Sequence, residues 1–327
     1  MSEPAPHAES RPTGRHDPLE IHPGRASLDV PFRRVVDDGL LVIVRNGLQL
    51  LDALEPLRRA TRLAAAETLP PTAARALERT GIEGLHTVVG IEEAMALRTR
   101  METALRPSAA QACLAFAATA GTGEPRVHVS RHFGVRTMLP HRVVAERDDL
   151  GPLAGFVVPT APHVDSWFNT TLNSVNLWMA LGRVRPGNGL LVYPDLYRAP
   201  IRRAGYDVAP GQQLGTPVSF ALDPGDILLF SGDHVHASEA NTTDETRVVL
   251  TKRISVGAPR YNPEGSGWVP YDDARLLRGP LAPLASLRSR ATAAYGRHLL
   301  RAALRRRPGY ERARAHHPTS GPNGPTT

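Results

Sequence analysis

His163 and Asp165 stand two apart in Pro162-His-Val-Asp-Ser-Trp167, and His236 follows in Asp233-His-Val-His-Ala-Ser238. Two imidazoles and one carboxylate form the facial donor set that holds a non-haem Fe(II) and leaves coordination positions free. In a strand, residues two apart point to the same face, with a rise of about 3.3 Å per residue. His163 and Asp165 would then stand side by side, while Val164 turns into the packing. The third ligand must come from a neighbouring strand. His234 competes with His236 for that place, but only from His236 do Ser238, Asn241 and Arg247 fall at offsets of two, five and eleven. A guanidinium presents a planar fork that pairs bidentately with a carboxylate. Arg247 is therefore a candidate clamp for a co-substrate carboxylate, with the Ser238 hydroxyl as an extra donor. Its ordinary alternative is a surface ion pair with Glu239, Asp244 or Glu245, worth ~0–1 kcal/mol. His128, His132 and His141 are also available, with ordinary strand or loop roles as their alternative. Three protein ligands on an octahedral ion would leave three positions, of which a 2-oxo acid could fill two by chelation and O2 the last.

The elements that must position these groups divide the chain into parts. Residues 1–27 read as a disordered leader, rich in Pro, His, Glu and Arg. A single domain is expected over 28–307, beginning with a mainly helical part, 28–120. There Asp37-Asp-Gly-Leu-Leu-Val-Ile-Val44 reads as a turn and a buried strand. Leu50, Leu51, Leu54, Leu57 and Leu63 recur at helical spacing, interrupted by Pro56. Two further helices are expected at 91–105 and 108–118, separated by Pro107 with Ser108 as N-cap. From 125 to 257 the texture changes to short apolar runs between Gly, Pro and Asn turns: 126–138, 155–158, 174–181, 189–193, 217–222, 226–230 and 247–256. Strands at such spacing predict an antiparallel sandwich or barrel. A C-terminal helical segment follows at 270–307, with an amphipathic Ala/Arg-rich helix at 284–304, and 308–327 reads as a disordered tail.

Residues 155–257 resemble the phytanoyl-CoA dioxygenase-like branch of the Fe(II)/2-oxoglutarate oxygenases. The matching pieces are His163-Val-Asp165, Asn176-Leu-Trp-Met-Ala-Leu181, Gly187-Asn-Gly-Leu-Leu-Val-Tyr-Pro194, Pro224-Gly-Asp-Ile-Leu-Leu-Phe230, and His236-Ala-Ser-Glu-Ala-Asn-Thr-Thr243 leading to Arg247. Asp38-Gly-Leu-Leu-Val-Ile43 matches the family's entry strand. The resemblance implies a mainly β fold with flanking helices, a double-stranded β-helix (jelly roll, cupin-like). It assigns Fe(II) to His163, Asp165 and His236, and 2-oxoglutarate to Arg247 and Ser238, with Trp178 near the co-substrate or in plain core packing. Related halogenases carry a small residue where this chain has Asp165, so the carboxylate argues for hydroxylation, with desaturation or ring closure as variants.

Substrate contacts are less defined. Arg126, His128, Arg131, His132 and Arg136 alternate along one expected strand and could face an anionic substrate or plain solvent. Trp167 and Phe168 follow the metal pair and are pocket-wall candidates. The substrate expected is a small molecule, in specialised metabolism rather than as an acyl-CoA. The alternatives are a jelly-roll binding or regulatory protein without turnover, and a zinc hydrolase on the same ligands.

Composition excludes several classes. A hydrophobic content of 41% and a charged content of 22% are those of a globular protein. No apolar run approaches the ~18 residues of a membrane span. Cys113 is the only cysteine, so no intrachain disulfide forms; with no signal-like leader, the cytoplasm is expected. The net charge of +7 rests almost wholly on arginine, Lys252 being the only lysine. Eleven arginines and one acid between Arg275 and Arg314 read as a solvated basic segment, since no nucleic-acid motif accompanies them.

Overall fold

Alternation along three central strands sets the architecture. In 247–256, Val248, Leu250 and Ile254 join one hydrophobic cluster, while Val249 joins another. In 174–180, Val175, Leu177 and Met179 divide in the same way from Trp178 and Ala180, as do Ile227 and Leu229 from Leu228 and Phe230. A strand that is apolar on both faces is covered on both. One face meets helices and the other meets a second sheet.

A computed structural model describes residues 17–22, 29–119, 126–168, 170–263, 269–277 and Arg297. Its strands are β1 (Leu19–Ile21), β2 (Val42–Val44), β3 (Val127–Ser130), β4 (Gly134–Met138), β5 (His163–Val164), β6 (Ser174–Ala180), β7 (Leu190–Tyr193), β8 (Arg203–Ala204), β9 (Asp207–Val208), β10 (Ile227–Ser231), β11 (Val235–Ser238), β12 (Arg247–Val256) and β13 (Tyr271–Asp273). The larger sheet runs β1-β2-β10-β6-β12-β3-β13, with β4 also on β12; the smaller runs β7-β11-β5-β9-β8. Every pairing is antiparallel except β1 with β2. The two sheets face each other across Trp178, Leu190, Val192, Leu228, Phe230 and Val249. This is a jelly roll, a double-stranded β-helix with flanking helices, not closed into a barrel.

Several expectations change. Leu19–Ile21, inside the expected leader, is a strand in register with Val42–Val44. Ile91–Ala118 is one helix of 28 residues, not two, with Pro107 inside it. Proline removes one hydrogen bond and strands the carbonyl four residues back. Here Pro107 and Thr103 both face solvent, which leaves that side of the helix open to water. The buried stripe Met101, Leu105, Ala109, Ala112 and Phe116 continues unbroken past it. Pro56 lies in the first turn of the helix Leu54–Thr68, where no N–H is needed, and does not interrupt it. Leu63 is 55% exposed and is not part of that helix's buried face. The expected strand 126–138 divides into β3 and β4. Residues 155–158 and 217–222 form only isolated bridges.

Residues 223–226 turn the chain into β10, with Asp226 N–H donating to the Asp223 carbonyl at 3.0 Å. Gly225 takes φ +105° there. A Cβ would also collide with the Gln49 side chain. No helix among the described residues is long and apolar enough to cross a membrane. The expected helix 284–304 and the tail 308–327 lie outside the described residues, Arg297 apart.

Candidate metal centre

β11 pairs with β5 so that His236 stands directly opposite His163, and Val235 opposite Val164. Directly opposed residues share a face, and the two rings lie 4.3 Å apart between centroids. Val164 and Val235 turn the other way, into a cluster with Tyr193 and Ala237. The strand ends at Val164, and Asp165 opens a 3-10 turn through Trp167. The pairing expected of an extended strand is thus made by a turn. Asp165 Oδ1 lies 3.8 Å from His163 Nε2 and 3.9 Å from His236 Nε2. One ligand atom from each residue lies within 4.8 Å of the others, a group that could hold a metal ion.

Backbone carbonyls fix both rings. His163 Nδ1–H donates to Ala161 O at 2.8 Å, and His236 Nδ1–H to His234 O at 3.0 Å. A carbonyl only accepts, so each proton sits on Nδ1 and each Nε2 lone pair points toward the shared centre. Burial pushes His163 down to about 4, helped by neighbouring His236, and burial lowers His236 as well. Neutral imidazoles are the form that binds metal. Burial alone would raise the Asp165 carboxyl, but Arg253, the two histidines and Asn176 hold it well below the usual carboxylate range. Asn176 Nδ2 donates to Asp165 Oδ2 at 2.9 Å, Arg253 Nη2 to Asp165 Oδ1 at 3.1 Å, and Arg253 Nε to Asn176 Oδ1 at 2.9 Å. The three side chains close a ring of hydrogen bonds around the carboxylate.

A cavity of about 50 Å3 adjoins the triad, lined in part by Arg136, Thr160, Trp178, Ser238, Arg247 and Thr251. Arg247 is 1% exposed. Its Nη1 donates to the Asn188 and Gly189 carbonyls at 3.0 and 2.9 Å, and its Cζ lies 5.1 Å from the Trp178 ring centroid. Its Nε has no hydrogen-bond partner. Burial, followed by nearby Arg136, lowers it to about 9, so it remains a cation at neutral pH. Ser238 Oγ lies 3.1 Å from Thr160 Oγ1. A buried cation with an unused donor, beside two hydroxyls, suits a carboxylate.

The other sequence candidates divide. Phe168 packs edge-on against His163 at 5.5 Å and stacks on Tyr206 at 4.7 Å. Trp167 packs instead with the Val164 cluster, away from the cavity. Arg131 pairs bidentately with Asp272 at 2.8 and 3.0 Å. His128 is buried opposite Ser255 and Asp273. The structure does not bring Arg131, His128 or Trp167 into the cavity. His234 is fully buried and packs in a tilted pair against Tyr197 with centroids 4.5 Å apart, and its carbonyl orients His236. Asn176 and Arg253 escaped the sequence reading as site residues, whereas Arg136, read there as a candidate contact to an anionic substrate, does line the cavity. Asn176 and Trp178 share a strand face, as do Arg247 and Arg253, so alternation was the signal available.

A jelly roll with a buried His–Asp–His cluster at its centre and a carboxylate clamp beside it is the frame of a non-haem iron oxygenase. The sequence profile of the family "Phytanoyl-CoA dioxygenase (PhyH)" matches residues 38–249, and the chain belongs to that family. It is a 2-oxoglutarate-dependent non-haem iron enzyme, with iron and 2-oxoglutarate as its cofactors. Among solved structures, the chain is similar to the epimerase SnoN in complex with Fe3+, alpha ketoglutarate and nogalamycin RO: 19% identity, TM-score 0.41, covering 72% of this chain and 87% of that one. It is also similar to the carbocyclase SnoK from nogalamycin biosynthesis: 17% identity, TM-score 0.41, covering 75% and 90%. EvdO2 from Micromonospora carbonacea var. aurantiaca aligns at 16% identity and TM-score 0.32, over 48% and 63%. No curated protein sequence matches the chain.

Proposed function

We propose that this enzyme oxidises a small-molecule substrate, by hydroxylation, desaturation or ring closure, with release of succinate and CO2 from 2-oxoglutarate. His163, Asp165 and His236 hold the iron, and Arg247 with Ser238 receives the distal carboxylate of 2-oxoglutarate, with Trp178 packed beneath it. The observation that carries this reading is the convergence, in one cavity, of three metal-competent atoms within 4.8 Å and a buried guanidinium with an unused Nε–H. When bound, iron and 2-oxoglutarate supply the oxidising chemistry. The chain's own residues do the rest. Ala161 and His234 carbonyls fix the ring tautomers, Asn176 and Arg253 orient the carboxylate, and the two facing sheets exclude bulk water. Asp165 fills the third protein position with a carboxylate, which supports oxygenation rather than halide transfer. A site enclosed between two sheets favours a small molecule.

Succinate release from 2-oxoglutarate with Fe(II) and ascorbate tests the reading. Wild type should turn over, even uncoupled from substrate, and Asp165→Ala should not. Equal release by both proteins, or none by wild type, would contradict it.

A further inference from the structure

Arg136 is a charge that the reading above leaves unused. It sits on β4 opposite Val249 of β12, a residue of the inner face, and lines the same cavity as the triad. Its Nη1 donates to the Gly155 carbonyl, and its Cζ lies 4.5 Å from the Phe156 ring centroid. Among the described residues, no carboxylate lies within 4 Å of it, and most of its five N–H donors have no acceptor. The neighbouring cations differ. Arg253 holds Asp165, Arg98 pairs with Glu102 at 2.7 Å, and Arg247 is reserved for the co-substrate.

Charge arithmetic sharpens the point. The cavity is lined by three guanidiniums, Arg136, Arg247 and Arg253, against one carboxylate, Asp165, and histidines bind a metal as neutral ligands. An Fe(II) dication and a 2-oxoglutarate dianion cancel one another. The lining groups of the loaded site therefore carry a net charge of +2, while Glu102 and Glu239 act on Arg136 and Arg247 from outside the lining. Sheltered positive charge is costly, and a substrate anion would offset it.

The geometry beside Arg136 supplies further donors. At Gly134 a Cβ would lie 2.8 Å from Thr251 Oγ1, 3.6 Å from His132 Nε2 and 3.9 Å from Arg136 Nε. These three polar groups cluster over Gly134, with the Thr251 hydroxyl too close to admit even a Cβ. His132 Nε2 is buried with no hydrogen-bond partner, and Thr251 Oγ1 reaches only the Gly134 carbonyl, at 3.4 Å.

We propose that the substrate carries a carboxylate, received by Arg136 with Thr251 and His132 over the side-chain-free Gly134. The proposal rests on the iron and 2-oxoglutarate reading and names the substrate class for it. A planar carboxylate matches the guanidinium fork. The subsite fixes one end of the substrate, so the carbon presented to the metal is set by its distance from that acid group.

Calorimetric titration of the full chain, loaded with Fe(II) and 2-oxoglutarate without oxygen, tests this with benzoate and benzamide as probes of equal shape. Benzoate should bind at least about tenfold more tightly, the worth of one charge-assisted hydrogen bond. Arg136→Gln should bring benzoate to the benzamide level while 2-oxoglutarate affinity stays within about threefold, and Gly134→Ala should weaken benzoate by crowding Thr251. Equal binding of the two probes to wild type would overturn the proposal without any variant. So would preferential binding of inorganic phosphate, or an Arg136→Gln protein that loses 2-oxoglutarate as severely as Arg247→Gln, which would place Arg136 in the co-substrate clamp. Failure of wild type to take up Fe(II) or 2-oxoglutarate appears in the loading step and overturns the underlying reading instead.

Discussion

Asp165 is held on both oxygens before any ligand arrives, by Asn176 on Oδ2 and Arg253 on Oδ1. Outer partners of this kind fix the ligand's orientation, and their loss typically costs 10–100-fold in metal affinity. Asn176→Ala should therefore weaken Fe(II) or Co(II) binding by about that factor, measured by titration, with the fold unchanged by circular dichroism. Unaltered affinity would mean that the ring of hydrogen bonds does not position the carboxylate. The clustering of His163, Asp165 and His236 was legible from residue type and offset, because a group able to hold a metal demands particular donors. Asn176 and Arg253 were not, since their meeting depends on the β6–β12 register, Asn176 opposite Arg253. Nothing local in the sequence states that register. The placement of Arg131 was hidden for the same reason, its partner Asp272 lying 141 residues away.

At the scale of elements, the strands that carry the site were legible as apolar runs between turn residues, and their alternation assigns faces correctly. Proline was over-read. The helix Ile91–Ala118 absorbs Pro107 because its buried stripe lies on the opposite side, so tertiary packing outweighs one lost hydrogen bond. Pro107→Ala should restore that bond and raise unfolding free energy by about 1–2 kcal/mol, less than the full helix penalty because proline also restricts the unfolded chain. Chemical denaturation would show it, and a destabilised variant would mean that Pro107 fixes a needed bend. Gly225 makes the opposite case. With φ at +105° and Gln49 filling the Cβ position, Gly225→Ala should destabilise the turn into β10 by about 1–3 kcal/mol.

Over the whole molecule, the jelly roll shelters histidines that its chemistry needs neutral. Burial lowers His132 to about 3, with Arg253 and Arg136 adding, and burial holds His163 and His234 near 4. Unfolded histidines titrate near 6.5. Between these limits the unfolded chain binds more protons than the folded one, so stability is full above about pH 6.5 and falls as pH drops toward 4. His234→Phe, which keeps a ring packed against Tyr197, should flatten that slope; denaturation at several pH values would reveal it, and an unchanged slope would exclude His234 as a source. The oxygen-free titration of the full chain with Fe(II) and then 2-oxoglutarate tests the central claim most directly, through the visible charge-transfer band of a 2-oxo acid chelated to Fe(II). Wild type should develop the band and Asp165→Ala should not. Arg247→Ala should need about 10–100-fold more 2-oxoglutarate to reach it, the loss of a charged hydrogen-bonded pair. A full band in Asp165→Ala, or an unchanged 2-oxoglutarate requirement in Arg247→Ala, would contradict the assignment of iron and co-substrate to these residues.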